Sequence, residues 1–222
     1  MTEERLIETE RGEARLEIHR ARTAILTLVL GHGAGRGIDA PDLQALAHGL
    51  PRHGVSVVLL EQPWVRQGRK VAPAPPVLDE VLHAVVGTLR PRNQLVLGGR
   101  SAGARSAVRS ARALGASAVL ALSFPLHPPG KPEKSRLPEL AAAGVPTLVI
   151  QGERDPMGRP EEYPDPMPEG VDLAVVPGGD HGLKVPKRGA LTQDEAWGLV
   201  VESALEWLVR DVAGNAGNAA AR

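Results

Sequence analysis

Between Leu95 and Ser106 the chain passes from a short apolar run directly into a helix-forming segment, with a serine at the junction. Gly99 and Gly103 lie two residues on either side of Ser101, and this Gly-x-Ser-x-Gly pattern is typical of a nucleophile elbow. In such a turn a Cβ at either glycine would strike the neighbouring strand or helix, and Ser101 itself carries the backbone strain. The pattern predicts an exposed serine hydroxyl, with the Ala102 amide at the helix N-terminus placed to stabilise an oxyanion.

The segments that flank the serine have the periodicity this turn needs. Residues 95–97 form the compact apolar run of a buried strand, and beyond the turn apolar residues recur at helical spacing with arginines on the opposite face. The apolar positions are Ala104, Ala107, Val108 and Ala111, and the arginines are Arg105, Arg109 and Arg112. The alternative is a plain strand-to-helix turn in which Ser101 only caps the helix.

Length and charge restrict the class of protein. A chain of 222 residues fits one domain with a substantial core. Its 26 Lys and Arg residues equal its 26 Asp and Glu residues, so no net charge attracts nucleic acid or an anionic membrane, and we expect neither as a partner. The chain has no Cys, which excludes disulfides, thiolate metal sites and a cysteine nucleophile. The oligomeric state does not follow from these counts.

No targeting segment is visible in the sequence. Residues 1–5 are charged and lack an apolar signal core, and no run approaches the roughly 18 apolar residues of a membrane span. We therefore expect a cytoplasmic protein.

Apolar strand-like runs alternate with amphipathic segments along the chain. Strands are predicted at 24–30, 55–60, 95–97, 118–122, 146–151 and 171–176, with an edge strand at 14–19, and helices at 41–50, 78–89, 104–111 and 139–143. A last helix is predicted after a Thr192-x-x-Glu195 capping box, with its inward face formed by Ala196, Val200, Ala204 and Trp207. This alternation predicts a single α/β domain over residues 13–212, with a mainly parallel sheet covered by helices on both faces and no large cap domain. Residues 1–12 are expected to be a polar lead-in, and residues 213–222 a flexible tail.

A dense glycine loop, Gly31-His32-Gly33-Ala34-Gly35, follows the first buried strand. Such a loop brings backbone amides close to a ligand, so it is either a tight connection or the second half of an oxyanion hole formed by Ala34 or Gly33. A phosphate-binding loop is disfavoured because no Gly-Lys-Ser/Thr follows. We interpret His32 as a brace for this loop and not as a catalytic residue.

Two later loops supply the partners that a serine nucleophile needs. Asp155 follows the strand at 146–151 and His181 follows the strand at 171–176. Carboxyl ends of parallel strands share one edge of the sheet, so both residues are expected near Ser101, in the chain order Ser, Asp, His. The alternative acid is Asp165, whose position between two prolines is typical of a turn.

Two proline-rich loops, 61–76 and 123–138, are too long to be simple connectors and are expected to wall the site. Trp64 and His127 lie in these loops, and Arg100 directly precedes the serine. We predict that all three contact the substrate. For His127, an equal alternative is a solvated loop residue, and Asp180, beside His181, is expected to act as an acceptor within its own loop.

Several segments together resemble the α/β-hydrolase superfamily, in particular a small dienelactone-hydrolase-like group related to testis-expressed and chromatin-complex hydrolase-like proteins. They are residues 31–35, 98–103, 126–134, 151–156 and 179–181. The resemblance covers about residues 15–210 and implies a triad of Ser101, Asp155 and His181. It also implies oxyanion amides from Ala34 or Gly33 and from Ala102. Dienelactone hydrolases proper use a cysteine nucleophile, so lactone specificity is not implied here.

These observations predict a serine hydrolase that cleaves a small carboxylic ester or thioester through an acyl-enzyme, without a metal or cofactor. Some members of the resembling group serve as subunits of complexes. The alternative is therefore a non-catalytic binding or scaffold protein of the same fold, with loops 61–76 and 123–138 as its contact surface.

Overall fold

The computed structural model describes residues 2–214, which contain one eight-stranded sheet. Its strands are β1 (Thr2–Thr9), β2 (Gly12–His19), β3 (Leu26–Gly31), β4 (Val55–Glu61), β5 (Gln94–Arg100), β6 (Ala118–Leu122), β7 (Thr147–Gly152) and β8 (Val171–Val176). They lie in the order β1-β2-β4-β3-β5-β6-β7-β8. The pairs from β4 to β8 are all parallel, whereas β2 runs antiparallel to both β1 and β4. The predicted mainly parallel sheet is confirmed.

Helices cover both faces of the sheet, as predicted. They are α1 (Pro41–Gly49), α2 (Pro63–Arg66), α3 (Pro75–Leu89), α4 (Ala102–Ser110), α5 (Leu137–Ala141) and α6 (Gln193–Trp207), with 3-10 turns at Pro51–His53 and Pro160–Glu162 and a π-helical end at Leu208–Ala213. Side chains of α3, α4 and α5 join one hydrophobic cluster and those of α1 and α6 join the other. A sheet covered on both faces explains why its central strands are apolar at nearly every position.

Alternate residues of the central strand β3 belong to the two different hydrophobic clusters. Leu28 and Leu30 belong to the cluster with α1 and α6, whereas Val29 between them belongs to the cluster with α3 and α4. Successive strand side chains point to opposite faces, so every residue of β3 except the half-buried Thr27 is buried.

The segment expected to be a polar lead-in is itself an edge strand. Residues 2–9 pair antiparallel with β2, from Thr2 opposite His19 to Thr9 opposite Gly12, so the strand predicted at the edge, residues 14–19, lies inside the sheet. An edge strand with a solvent-facing side needs few apolar residues and tolerates charge. In β1 only Ile7 is buried, and Glu4 pairs with Arg15 across the two strands at 2.9 Å.

The charged face predicted for α4 is paired with its neighbouring helices. Arg109 bonds Asp79 of α3 with Nη2 2.8 Å from Oδ1, and Arg105 bonds Glu139 of α5 with Nη2 2.5 Å from Oε2. These partly exposed ion pairs fix the orientation of α4 more than they stabilise the fold, because solvent-accessible pairs contribute little free energy.

The last helix begins as predicted. Thr192 Oγ1 accepts the Glu195 N–H at 3.3 Å, and the Glu195 carboxylate accepts the Thr192 N–H at 2.7 Å. The four residues predicted to face inward are all buried, namely Ala196, Val200, Ala204 and Trp207. Of the predicted tail, residues 215–222 lie outside the described part of the chain.

Each segment that connects two strands of residues 2–214 carries at most two helices, of which α3 with 15 residues is the longest, so no cap domain covers the carboxyl edge of the sheet. Loop 61–76 contains the short helix α2 and the first two residues of α3. None of the described helices is both long enough and apolar enough to cross a membrane.

Candidate active site

The turn between β5 and α4 has the geometry of a nucleophile elbow. Ser101 lies between the two elements with φ 54° and ψ −108°, a left-handed conformation that is strained for a residue with a Cβ. Its side chain makes no capping hydrogen bond to α4. The structure therefore places the hydroxyl away from the helix end, unlike the helix-capping alternative.

Three glycines allow this turn to pack against β3. A Cβ at Gly99, whose φ is +156°, would lie 2.5 Å from the carbonyl oxygen of Gly31. A Cβ at Gly103 would overlap that same oxygen. The first turn of α4 thus touches the end of β3, as the sequence predicted.

Ser101, His181 and Asp155 form a continuous hydrogen-bonded chain. His181 Nε2 is 3.0 Å from Ser101 Oγ, and His181 Nδ1 is 2.8 Å from Asp155 Oδ2. A carboxylate can only accept, so Nδ1 carries the proton and Nε2 is free to accept the serine hydroxyl. The arrangement provides a base for the serine and an acid that fixes the tautomer of the base.

Asp155 is fully buried, and each of its oxygens has a donor. Oδ2 also accepts Gln151 Nε2 at 2.8 Å, and Oδ1 accepts the Met157 N–H at 2.8 Å. Gln151 further donates to the Gly158 carbonyl at 2.7 Å, which ties the end of β7 to the loop that carries Asp155. The sequence analysis missed Gln151, although a polar residue at the end of an otherwise apolar buried strand was an available signal.

The sequence offered Asp155 and Asp165 as the acid that orients His181. The structure places Asp155, the preferred one, in contact with His181. Asp180 accepts the N–H groups of Gly182 and Lys184 on Oδ1, at 2.7 and 3.0 Å. It therefore holds the shape of the loop that carries His181, the role expected of it.

His32 braces the glycine loop. Its Nε2 accepts the Gln62 N–H at 3.0 Å, so its Nδ1 carries the proton and donates to the Gly33 carbonyl at 2.8 Å. Burial lowers the pKa of His32, which keeps the ring neutral as this pattern requires. In a trans peptide the C=O and the following N–H point in opposite directions, so the Ala34 N–H faces away from the ring.

Two backbone amides are available near the serine hydroxyl. Gly33 lies beside the nucleophile, since a Cβ built on it would be 3.4 Å from Ser101 Cβ. Ala102 is the first residue of α4, and N–H groups in a first helical turn have no partner within the helix. The oxyanion amides of Ala34, which follows Gly33, and of Ala102 remain predictions.

Arg100 links the serine loop to the histidine loop. Its Nη2 donates to the His181 carbonyl at 3.0 Å. Its Nε lies 3.0 Å from Asp42 Oδ2, but the two groups are not aligned as a hydrogen bond, so the contact is an ion pair by distance alone. Asp42 is 1% exposed, and burial raises the pKa of its carboxyl while the Arg100 charge opposes the rise.

A polar cavity of about 260 Å³ lies beside these loops. Its walls are Gly35, Arg36, Pro41, Asp42, Arg100, Asp180, Gly182 and Lys184. A larger cavity of about 470 Å³ lies between the β1–β2 turn and α3. None of the triad residues lines either cavity, but Arg100, Asp180 and Gly182 in the wall of the smaller one are the chain neighbours of Ser101 and His181. Within residues 2–214 no group of three or more His, Asp and Glu side chains could hold a metal ion.

Comparison with known proteins identifies the family of this fold. A family model described as an alpha/beta hydrolase domain matches residues 24–209. The chain belongs to the α/β-hydrolase family. A search of curated proteins found no match.

Solved structures share the fold of this α/β hydrolase over nearly its whole length. A serine hydrolase without a lid from Xanthomonas campestris is 18% identical, with a TM-score of 0.74 and coverage of 93% of this chain and 94% of that one. A serine hydrolase homologue from Coxiella burnetii is 20% identical, with a TM-score of 0.71 and coverage of 96% and 98%. Dienelactone hydrolase from Anabaena variabilis is 17% identical, with a TM-score of 0.72 and coverage of 95% and 97%.

His127 and Trp64 do not line the cavity beside Ser101. His127 is buried, with Nε2 2.8 Å from Glu162 Oε2 and Nδ1 2.8 Å from the Pro128 carbonyl, and these acceptors raise its pKa. It ties loop 123–138 to the turn at 160–162, and its contact with substrate stays a prediction. Trp64 packs on the His32 ring, with centroids 5.5 Å apart, and so lies behind the glycine loop. Of the three predicted contacts, only Arg100 borders the cavity.

The close contact between β3 and α4 predicts opposite effects for two identical substitutions. Gly103→Ala should lower the free energy of unfolding by more than about 2 kcal/mol, because its Cβ overlaps backbone that cannot move. Gly87→Ala, inside α3 with no atom within 4 Å of the new Cβ, should raise it by about 0.5–1 kcal/mol. Urea unfolding of both variants measures the difference, and equal effects would contradict the packing described for the elbow.

The neutral, buried His32 predicts a pH dependence of stability. The unfolded chain protonates this imidazole near pH 6.5, whereas the folded chain resists protonation, so wild-type stability should fall as the pH drops below about 6.5. His32→Asn removes this contribution. The difference in unfolding free energy between wild type and variant should therefore shrink from pH 7 to pH 5, and a difference that stays constant would show that His32 is not held neutral.

Proposed function

We propose that this α/β hydrolase is a serine hydrolase that cleaves a small carboxylic ester or thioester through an acyl-enzyme. One observation carries the proposal. Ser101 Oγ, on a strained strand-to-helix turn, lies 3.0 Å from His181 Nε2, while Nδ1 of the same ring lies 2.8 Å from the buried Asp155 carboxylate.

In the acylation half of the reaction, His181 Nε2 accepts the proton of the Ser101 hydroxyl as Oγ attacks the substrate carbonyl carbon. The tetrahedral oxyanion is held by the Ala34 and Ala102 amides, which need not reorient because both belong to fixed backbone. His181 then gives its proton to the departing alcohol or thiol. The products of this half-reaction are the leaving group and an ester on Ser101.

In the deacylation half, water replaces the alcohol and His181 again acts as base. The proton returns to Ser101 Oγ when the acid departs, so no oxidant, metal or cofactor is consumed. Asp155 takes no proton in either half. Its role is to hold the ring in the required tautomer and to stabilise the imidazolium, and Gln151 and the Met157 amide keep it in position.

The same site supports a small-molecule substrate. The cavity beside the serine measures about 260 Å³ and is walled largely by charged residues, so it offers little apolar surface for an alkyl chain. A cytoplasmic location remains a prediction from the sequence.

Covalent labelling separates an enzyme from a scaffold. A fluorophosphonate probe should label the wild-type protein and should not label Ser101→Ala. The matched control is Ser110→Ala, on the same helix α4, whose buried hydroxyl has no hydrogen-bond partner among the described residues and which should label normally. Absence of labelling in folded wild type would favour the scaffold alternative.

Steady-state kinetics test whether Ser101 and His181 act as a unit. Each single alanine variant should lose about 10³-fold or more in kcat on p-nitrophenyl acetate, and the double variant should lose little more than either. Losses that multiply would show that the two residues are not partners.

The polar cavity predicts a preference for short acyl chains. Across p-nitrophenyl esters, kcat/KM should peak at acetate or butyrate and fall by octanoate, because each added methylene, worth about 0.8 kcal/mol when buried, finds no apolar surface. A maximum at dodecanoate would contradict a small polar site.

A further inference from the structure

The lining of the cavity beside the serine loop consists in part of chain neighbours of the nucleophile, the base and the oxyanion residue. Arg100 directly precedes Ser101, Asp180 and Gly182 flank His181, and Gly35 follows the oxyanion residue Ala34. A group bound in this cavity would therefore lie within one residue of the nucleophile, the base and the oxyanion loop. The cavity is placed to hold a part of the substrate that does not react.

Cations exceed anions in the lining. Arg36, Arg100 and Lys184 face two carboxylates, those of Asp42 and Asp180. Among the described residues, the side chains of Arg36 and Lys184 have no ion-pair partner within 4.0 Å, in contrast to Arg105 and Arg109 on helix α4. The side chains of Arg36 and Lys184 are therefore available to form ion pairs with a ligand.

Both carboxylates of the lining are already engaged. Asp180 Oδ1 accepts two backbone N–H groups of its own loop, at 2.7 and 3.0 Å. Asp42 is almost completely buried against Arg100, 3.0 Å from its Nε. With three cationic and two anionic side chains, the lining keeps one formal positive charge in excess.

The Arg100 guanidinium makes polar contacts through two of its three nitrogen atoms. Nε meets Asp42 and Nη2 donates to the His181 carbonyl, whereas Nη1 makes no hydrogen bond within residues 2–214. A guanidinium fixed in this way loses little side-chain entropy on binding, and its planar donors match the oxygens of a carboxylate or phosphate.

We propose that this cavity binds an anionic group of the substrate, a carboxylate or phosphate, through Arg36, Arg100 and Lys184. The inference rests on the proposed function and narrows its substrate class to esters or thioesters that carry a negative charge near the scissile bond. The charge belongs to either the acyl part or the leaving group, and the two sources are separated by experiment.

Two pairs of esters compare charged and neutral substrates of nearly equal size. For the acyl part, the pair is mono-p-nitrophenyl glutarate and its methyl ester. For the leaving group, it is 4-acetoxybenzoate and its methyl ester. In at least one pair, kcat/KM corrected for uncatalysed hydrolysis should be at least about threefold higher for the anion, and the ratio should fall as ionic strength rises.

Matched variants assign the preference to the cavity. Arg36→Gln and Lys184→Gln should each lower the ratio of anionic to neutral kcat/KM by about threefold or more, and Lys184→Glu should lower it further. Lys187→Gln removes the same charge from the same exposed loop without bordering the cavity, and it should leave the ratio unchanged. Ratios near one for both pairs in wild type, or equal effects of the Lys184 and Lys187 variants, would overturn the inference.

Equilibrium binding tests the same inference without turnover. Calorimetric titration of Ser101→Ala should show benzoate or inorganic phosphate binding more tightly than neutral benzamide, and added Arg36→Gln and Lys184→Gln should weaken that binding by threefold or more. Equal affinity for benzoate and benzamide, with no binding of phosphate, would refute the anion site. If wild type neither labels with fluorophosphonate nor cleaves the neutral esters, the proposed function fails, and this titration still decides the anion site.

Discussion

The backbone contact between β3 and the first turn of α4 is the constraint on which the rest of the site depends. A Cβ at Gly99 or Gly103 would collide with the backbone of Gly31, and this close contact accompanies a turn of the chain within the single residue Ser101. The turn costs conformational energy, which is offset by the buried strands and helices on either side. The strained conformation of Ser101 persists because the packing around it excludes other backbone conformations.

Parallel pairing then brings distant residues together. β5, β7 and β8 run in the same direction, so Ser101, Asp155 and His181 leave the sheet at one edge although up to 80 residues separate them. The buried Asp155 carboxylate is tolerated because His181, Gln151 and the Met157 amide all donate to it. A site assembled in this way is as rigid as the sheet that carries it.

The formal net charge of the chain is zero, but its charged side chains still create local electrostatic fields. On α4 the arginines are paired with Asp79 and Glu139 and serve to position helices. At the carboxyl edge, Arg36 and Lys184 border a cavity beside the serine, while Arg100 is held between Asp42 and the His181 carbonyl. The total charge therefore does not describe the field at the site, which is set by the placement of individual charges.

Local chemistry was enough to predict the fold class, the elbow glycines, the capping box at Thr192 and the positions of the three residues that form the hydrogen-bonded chain. Glycine spacing and hydrophobic periodicity act within a few residues, so the sequence by itself determined these features. Only the tertiary structure decided that residues 2–9 form the edge strand, that His127 bonds Glu162 and lies away from the cavity, and that Gln151 and Asp42 support the site. Those outcomes depend on hydrogen bonds and ion pairs between loops that are distant in the sequence. Burial favours such pairs because a buried polar group without a partner costs free energy.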